Sequence, residues 1–401
     1  MRRDILYFNN DWNPDNRTSS HHIARELARR HRLIYVECPG LRPPSASTHD
    51  LRRAFAKIRM ALGPPRQVSE QCALTTLLQL PFHGRPALEL LNRRIMLALV
   101  RRTLRRLGVR RPVAWFGLPH LLPLLGRVGE AVNVYYCIDD YAALPGVNAE
   151  AVRAMDEEMT RRADVVFVAS GPMLERKRGQ SEHLHLNPHG VDHAHFARSL
   201  DEATPVAPEV SVLPRPVVGY IGLIERWLDL DLLRAIATAH PEWSIVLIGR
   251  VAVNVESLAR LPNVHFPGQR PYDRLPEYAK GFDVAIMPYL LNDQVRNSNP
   301  IKLREYLAAG RPVVSVRVPE VERFTEVVRL ADGPGDFIAA IQAALAEDGR
   351  ATRRQRSEYV RAMSWTACVD RALKVVEGTL AERGLAASDA ACSATGRGGI
   401  R

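Results

Sequence analysis

Short apolar runs alternate with amphipathic segments along the first half of this chain. Residues 5–8 and 33–37 are predicted to be buried strands, and Ser20 is predicted to cap a helix that reaches about Arg30. Further strands are predicted at 112–116, 131–136 and 165–168. This βαβ start lacks a Gly-x-Gly-x-x-Gly turn, which argues against an NAD- or FAD-dependent oxidoreductase.

A second series of strands is predicted near 217–221, 244–248, 264–266, 284–288 and 313–316, again separated by helical patterns. Between the two series, residues 201–216 carry four prolines and are predicted to be a linker. We therefore expect an α/β protein with two doubly wound, Rossmann-like domains facing a cleft. The predicted bounds are 1–200, 217–364, a C-terminal helix at 365–381 and a disordered tail at 382–401.

The segment 297–315 carries clear local signals. Asn299 is a good N-cap, Pro300 suits a first helical position, and Gly310 suits the left-handed position after a helix. The predicted helix therefore begins at the carboxyl end of the strand 284–288. Open α/β sheets bind ligands at that end of their strands, and free N–H groups at a helix start favour an anion.

Lys302 and Glu305 lie three residues apart on this predicted helix, so they project near that anion position. A cation for phosphate and a carboxylate for sugar hydroxyls together indicate a nucleotide-sugar site. A solvated ion pair on an ordinary surface helix is the alternative.

Composition narrows the class of protein. The chain has 401 residues, 46% of them hydrophobic, which is enough for two cores. Its formal net charge of +11 indicates an acidic partner, which nucleic acid, anionic lipid or a phosphorylated substrate would each satisfy. The five cysteines form no Cys-x-x-Cys pair, which argues against a disulfide framework and a zinc site and favours a reducing cytosol.

The termini and apolar runs give no membrane signal. Asp4 and the polar run 9–17 interrupt any signal-peptide core, and no apolar run approaches the roughly 20 residues that span a bilayer. We therefore expect a cytoplasmic protein whose membrane contact, if any, is peripheral.

The sequence Pro-Ile-Lys-Leu-Arg-Glu-Tyr-Leu-Ala-Ala-Gly-Arg-Pro-Val-Val at 300–314 resembles the donor-binding segment of GT-B glycosyltransferases, especially bacterial envelope and exopolysaccharide enzymes. Segments 189–192, 217–222, 243–250 and 263–268 are similar too and come in the family's order. The resemblance covers most of residues 4 to about 380 and is more specific in the C-terminal half.

This resemblance implies a transferase that moves a sugar from a nucleotide diphosphate to a saccharide or lipid-linked acceptor, with no bound metal and no cofactor besides the donor. The N-terminal domain would hold the acceptor and the C-terminal domain the donor, with the C-terminal helix crossing back to the first domain. The expected donor-binding residues are Gly222, Arg226, Arg250, Asn297, Ser298, Asn299, Lys302 and Glu305. The arginines and Lys302 would neutralise the leaving diphosphate.

The chain departs from the family pattern at two places. Many retaining members have a carboxylate eight residues before the position of Glu305, where this chain has Asn297. The lysine usual after the glycine turn at Gly222 is also missing, and Trp227 and Asp229 occupy that neighbourhood. These differences leave open whether the sugar keeps or inverts its anomeric configuration.

An inverting transfer needs a general base for the acceptor hydroxyl, and the first domain should supply it across the cleft. Asp139 and Asp140 follow a predicted strand, and His120 follows the strand before it. A cap or turn role for the aspartates and a plain loop role for the histidine are the alternatives.

Residues 92–111 form a strongly amphipathic helix candidate with Arg94, Arg101, Arg102 and Arg105 on one face. Together with Arg52, Arg53, Lys57, Arg59 and Arg66, they suit an anionic bilayer surface. An ordinary solvated helix explains the pattern equally well.

A GT-B glycosyltransferase acting in envelope polysaccharide, glycolipid or glycoconjugate synthesis is thus the expected function. One alternative is a nucleotide-sugar 2-epimerase of the same architecture, which would need a carboxylate-rich sugar site. The other is a basic nucleic-acid-binding protein, which predicts interleaved aromatics, whereas aromatic residues make up 6% of the chain.

Overall fold

The structure is a computed structural model and describes residues 2–12, 17–40, 57–79 and 86–385. Its first sheet has the strand order β3-β4-β2-β1-β5-β6-β7-β8, in which every pairing is parallel except the antiparallel edge pair β3 and β4. The central strands are buried along almost their whole length, as parallel strands covered on both faces must be. The strands are β1 (Asp4–Asn9), β2 (Arg32–Glu37), β3 (Arg66–Ser69), β4 (Cys72–Thr76), β5 (Val113–Phe116), β6 (Val132–Cys137), β7 (Val165–Val168) and β8 (Leu184–Leu186).

The second sheet is parallel throughout and has the order β11-β10-β9-β12-β13-β14. Its strands are β9 (Val217–Ile221), β10 (Ser244–Ile248), β11 (Val264–His265), β12 (Val284–Met287), β13 (Val313–Val316) and β14 (Val328–Ala331). In each sheet the strand order reverses beside the first strand, β1 or β9. Such switch points open crevices at the carboxyl ends of the strands, where doubly wound sheets bind ligands.

Helices cover both faces of the two sheets. In chain order they are α1 (Ser19–Arg30), α2 (Pro86–Leu107), α3 (Ala149–Arg162), α4 (Gly171–Lys177), α5 (His193–Ala197), α6 (Pro208–Ser211), α7 (Leu230–Ala239), α8 (Glu256–Ala259), α9 (Leu275–Gly281), α10 (Asp293–Asn297), α11 (Ile301–Ala308), α12 (Pro334–Ala346), α13 (Arg350–Tyr359) and α14 (Trp365–Glu382). Short 3₁₀ turns lie at Pro119–Leu124, Tyr141–Ala143, Arg198–Leu200, Tyr272–Arg274 and Glu322–Phe324. None of the helices in the described ranges is both long and apolar enough to cross a lipid bilayer.

The C-terminal helix α14 packs on the first sheet, although it follows the second in sequence. It contacts α1, β6 and β7, and the Trp365 ring stacks on His22 with 4.9 Å between ring centroids. Arg383, just after α14, forms an ion pair with Asp164 beside β7. The expected disordered tail is therefore wrong for residues 382–385, and residues 386–401 lie outside the described part.

The segment 201–216 is largely exposed, but Ala207 and Val210 anchor it in the core under the second sheet, where both are buried. It contains the short helix α6. The division of the chain into domains at the bounds given above stays a prediction.

Several local expectations differ from the structure by one or two residues. Helix α1 has Thr18, not Ser20, at its N-cap position. Helix α11 begins at Ile301 with Pro300 at the N-cap, so the expected capping role of Asn299 is wrong. Gly310 does take the left-handed conformation, with φ of 73°, directly after the C-cap residue Ala309.

The predicted amphipathic helix at 92–111 corresponds to α2. Its buried side is apolar, with Met96, Val100 and Leu104 in the core, while Arg94, Arg101 and Arg105 are exposed. Among the upstream basic residues, Arg52 and Arg53 lie outside the described residues.

Candidate functional site

A cavity of about 430 Å³ lies where the carboxyl ends of the two sheets face each other. Segments after β1, β6 and β12 line it, together with the start of α1 and the run that leads into α11. The lining residues are Asn10, Arg17, Thr18, Ser19, Ser20, Ile138, Asp139, Tyr141, Leu144, His189, Trp227, Tyr289, Gln294, Val295, Ser298, Asn299, Pro300, Ile301, Lys302 and Glu305. Both switch-point crevices thus open into one space.

Lys302 reaches the cavity from the first turn of α11, across the turn that follows β9. A Cβ atom placed on Gly222 would lie 2.0 Å from Lys302 Cε and 2.9 Å from its Nζ. Gly222 therefore leaves room for the lysine side chain to extend over the strand end. The ammonium group and the free N–H groups at the helix start form a site suited to an anion.

Glu305 lies one turn further along α11 and is 8% exposed. Burial raises the pKa of its carboxyl group to about 7, with Lys302 acting to lower it and Asp192 to raise it. A buried carboxyl group that titrates near neutral pH, beside a lysine, is typical of a ligand-binding position.

Asn299 lines the cavity, but its side chain joins the two sheets. Its Nδ2 donates to the carbonyl oxygen of Ala169, after β7, at 2.7 Å and to Glu320 Oε2 at 3.1 Å. Arg304 donates to its Oδ1 at 2.6 Å, and Glu320 Oε1 accepts from the backbone N–H of Gly171 at 2.6 Å. The neighbouring Ser298 lines the cavity too, and its hydroxyl donates to the carbonyl oxygen of Val295. This network holds the start of α11 against the first sheet.

Asn297 and Asp140 meet between the sheets. The Asn297 amide donates to Asp140 Oδ2 at 2.9 Å, and Arg176 donates to the same oxygen. The Asp140 side chain is 8% exposed. Neither residue is among those that line the cavity. Asp140 is thus held in a structural contact.

Asp139, one residue earlier, does line the cavity. Burial raises the pKa of its carboxyl group to about 6, while hydrogen bonds from the Asp140 backbone and the Gln294 side chain act to lower it. Because Gln294 belongs to α10 beside the second sheet, this contact also crosses the cleft. A carboxyl group with a pKa near 6 can accept a proton at neutral pH.

Six predicted site residues are absent from the cavity lining: Asp140 and Asn297, Gly222 beneath the Lys302 side chain, and three more. His120 is 4% exposed in the 3₁₀ turn after β5. Arg226 is 66% exposed at its side chain and lies 3.7 Å from Glu225. Arg250 follows β10 by two residues and is exposed. Both arginines lie at the expected edge of the second sheet, and neither reaches the space beside Lys302 in this structure.

The sequence analysis missed several lining residues. Arg17, Thr18 and Ser19 precede or begin α1, and a helix start after a strand was the available signal for them. His189 lies within a segment that the family resemblance included, yet nothing local distinguished it from the other histidines. Nothing in the sequence pattern marked Gln294 as a site residue.

Comparisons with known proteins agree with this architecture. The family model described as Glycosyl transferases group 1 matches residues 215–347, which include α11 and the whole second sheet. The putative teichuronic acid biosynthesis glycosyltransferase TuaH of Bacillus subtilis (strain 168) is 29% identical over 276 residues, covering 63% of this chain and 68% of that protein. The chain is a glycosyltransferase with the GT-B fold, and its residues 215–347 match the group 1 family model.

Solved structures show the same fold at low sequence identity. Sucrose-phosphate synthase from Thermosynechococcus elongatus superposes with a TM-score of 0.71 at 16% identity, covering 95% of this chain and 100% of that one. Anabaena HepE, solved in complex with UDP and glucose, gives 0.65 at 14% identity, covering 94% and 99%. The predicted fold class, two doubly wound Rossmann-like sheets facing a cleft, is confirmed. The family-model match and the similarity to TuaH favour the transferase over the epimerase and the nucleic-acid-binding protein.

Proposed function

We propose that this glycosyltransferase binds the diphosphate of its nucleotide-sugar donor at the start of α11, with Lys302 as the neutralising cation. The observation that carries the proposal is the cavity itself, in which Lys302 and Glu305 on one side face Asp139 on the other. Glu305 is suited to bind sugar hydroxyls, because a buried carboxylate gains most from hydrogen bonds that a hydroxyl can donate.

In the proposed reaction, the bond from the sugar C1 to the diphosphate oxygen breaks and a bond from C1 to the acceptor oxygen forms. Negative charge builds on the leaving diphosphate, where the Lys302 ammonium and the helix N–H groups stabilise it. For an inverting transfer, the acceptor proton passes to Asp139, the carboxylate on the acceptor side of the cavity. Since these groups supply the required charge, we propose that the reaction needs no metal ion.

For the acceptor, we propose a saccharide or lipid-linked intermediate of a cell-envelope polysaccharide. The similarity to TuaH supports this class, because that protein is described as acting in teichuronic acid synthesis. It leaves the sugar and the nucleotide base to experiment.

We further propose that the enzyme works on the cytoplasmic side, at an anionic membrane surface. Helix α2 supports this proposal, since Arg94, Arg101 and Arg105 are exposed along it and two leucines near its start, Leu90 and Leu91, are exposed as well. Basic side chains around exposed apolar ones suit the boundary between lipid headgroups and acyl chains.

The test is a thermal-shift and calorimetry panel of UDP, GDP, dTDP and ADP with their common sugars. At least one nucleotide should raise the melting temperature of the wild-type protein. Lys302→Ala should then weaken its affinity roughly 10- to 100-fold, the value of one charge-assisted hydrogen bond. Lys374→Ala, an exposed lysine on α14, serves as the matched control. Unchanged affinity in Lys302→Ala would exclude the lysine from the site.

A further inference from the structure

His189 occupies a fixed position between the last strand of the first sheet and α5. It follows β8 by three residues, is 5% exposed and lines the cavity. A Cβ on the next residue, Gly190, would lie 2.5 Å from the backbone nitrogen of Trp365. The backbone here is therefore pressed against the start of α14, and the imidazole has little freedom to move away from the cavity.

The His189 ring has unused hydrogen-bonding capacity. Its Nδ1 is buried and has no hydrogen-bond partner among the described residues. The nearest aromatic neighbour is Trp365, with 5.8 Å between ring centroids. Buried polar atoms in native proteins are almost always paired, so an unpaired nitrogen on a residue that lines a cavity indicates a ring that can pair with a ligand or water once one enters.

The surroundings decide what kind of ligand group suits this ring. Burial and the nearby Arg304 lower the pKa of His189 to about 3, so the ring is uncharged at neutral pH. An uncharged imidazole presents one donor and one acceptor, which matches a hydroxyl group. A phosphate would find its cation at Lys302 instead, and the carboxyl groups of Glu305 and Asp139 lie in the same cavity.

We propose that His189 hydrogen-bonds a hydroxyl of the sugar carried by the donor, and so helps to determine which sugar the enzyme accepts. This inference rests on the proposed function, since it places the donor at α11. The ring lines the cavity together with the run Ser298–Lys302, the side on which the donor is proposed to lie.

The experiment compares each nucleotide diphosphate with its sugar conjugate, using UDP and UDP-linked glucose, galactose and their N-acetyl forms, with the GDP and dTDP sugars in parallel. For the sugar nucleotide that the wild type binds best, His189→Ala should weaken binding roughly 5- to 30-fold, the value of one hydrogen bond to a buried group. Affinity for the diphosphate alone should change less than about twofold. The wild-type preference between sugar epimers should shrink in the same variant.

One further variant keeps the test valid where alanine impairs folding, and another serves as a control. His189→Asn retains a polar atom close to the place of Nδ1 and should recover part of the affinity for the sugar nucleotide. His183→Ala, an exposed histidine just before β8, is the matched control and should leave both affinities unchanged.

If His189→Ala weakened the binding of the diphosphate and of its sugar conjugate equally, the inference would be overturned, because the ring would then act on the phosphates or on the fold. An unchanged ratio of the two affinities, or an effect confined to the acceptor, would overturn it as well. If the wild type bound none of the nucleotides, the proposed donor site would fail first, and this inference with it.

Discussion

The side-chain amide of Asn297 donates a hydrogen bond to Oδ2 of Asp140 across the cleft, at 2.9 Å. Asn297 ends α10 beside the second sheet, and Asp140 follows β6 of the first. The contact explains why an amide suits the position where many related enzymes have a carboxylate. A carboxylate there would face a buried carboxylate at close range, and like charges repel most strongly where water is excluded.

Asn297→Asp should therefore destabilise the protein at pH 8, by roughly 1–3 kcal/mol, because one hydrogen bond is replaced by repulsion between two carboxylates. The loss should be smaller at pH 5, because repulsion from a neighbouring carboxylate raises the pKa of the introduced one, and its protonation removes the repulsion. Melting temperatures at both pH values measure the effect. Asn297→Ala removes the hydrogen bond without adding charge and should cost less at pH 8. A variant Asn297→Asp as stable as the wild type at pH 8 would contradict the explanation.

Gly222→Ala should displace the Lys302 side chain without unfolding the protein. The new Cβ would lie 2.0 Å from Lys302 Cε, the end of a flexible side chain that can move aside, and 2.7 Å from the hydroxyl oxygen of the buried Tyr220, which must shift slightly. We expect weaker binding of the nucleotide diphosphate, approaching that of Lys302→Ala, with a modest fall in melting temperature.

Gly249→Ala should show the opposite result, because its Cβ would lie 1.8 Å from the backbone oxygen of Gly222 and its φ is 152°. Backbone cannot yield as a side chain can, so this variant should lose stability. Gly378→Ala on α14, where nothing lies within 4 Å, should be neutral or slightly stabilising. Normal diphosphate binding by Gly222→Ala would argue against the proposed role of the lysine.

Asp139→Asn should lower turnover by roughly 10²- to 10⁴-fold, while donor affinity stays close to that of the wild type. A general base must be deprotonated, so wild-type kcat/KM should fall as the pH drops through about 6. Gln294→Ala removes a hydrogen bond that lowers the pKa of Asp139, so the fall of kcat/KM at low pH should move to higher pH.

His120→Ala tests the alternative base. Near-normal turnover in both Asp139→Asn and His120→Ala would favour proton transfer to the donor's own diphosphate.

The same carboxyl group links stability to pH. Its pKa is raised in the folded protein, so its contribution to stability is complete at low pH and is lost as the pH rises through about 6. Asp139→Asn should therefore melt at a higher temperature than the wild type at pH 8, with the difference vanishing near pH 4. An equal or lower melting temperature at pH 8 would show that the carboxylate is well solvated or paired.

Removal of divalent metal by EDTA and dialysis should leave turnover unchanged, because Lys302 and the start of α11 are proposed to neutralise the diphosphate. Addition of Mg²⁺ to the dialysed enzyme should not raise the rate. A rate that falls on chelation and recovers with Mg²⁺ would refute metal independence.

The exposed arginines of α2 should bind anionic vesicles. Each contributes about 1 kcal/mol near such a surface, so replacing Arg94, Arg101 and Arg105 with glutamine should weaken partitioning roughly 100-fold. Wild-type binding should also fall steeply with salt. The matched control replaces Arg234, Arg260 and Arg361, exposed arginines that follow β9 in sequence. Equal, weak sedimentation with anionic and neutral vesicles at low salt would contradict the membrane proposal.

Local sequence determined the regular framework of this protein. The buried strands β1, β2, β5 to β7, β9, β10, β12 and β13 appear as apolar runs, because a strand covered on both faces needs apolar side chains throughout. The end of α11 could also be predicted from the sequence, because the left-handed backbone that follows the helix favours glycine and Gly310 stands there. The hairpin β3–β4 was missed because all four residues of β3 are exposed, and β8 because it has three residues.

Only the tertiary structure decided which residues share the cavity. Asp139 and Asp140 are adjacent and chemically alike, yet one lines the cavity and the other is held by Arg176 and Asn297. Asparagine is a common helix N-cap, but the side-chain amide of Asn299 instead donates a hydrogen bond to the carbonyl oxygen of Ala169, just after β7 of the first sheet. His189 lines the same cavity as the start of α11 only because the carboxyl ends of the two sheets meet there. Local propensity acts over a few residues, whereas these side-chain hydrogen bonds join positions 36 to 157 residues apart, where packing sets the distance.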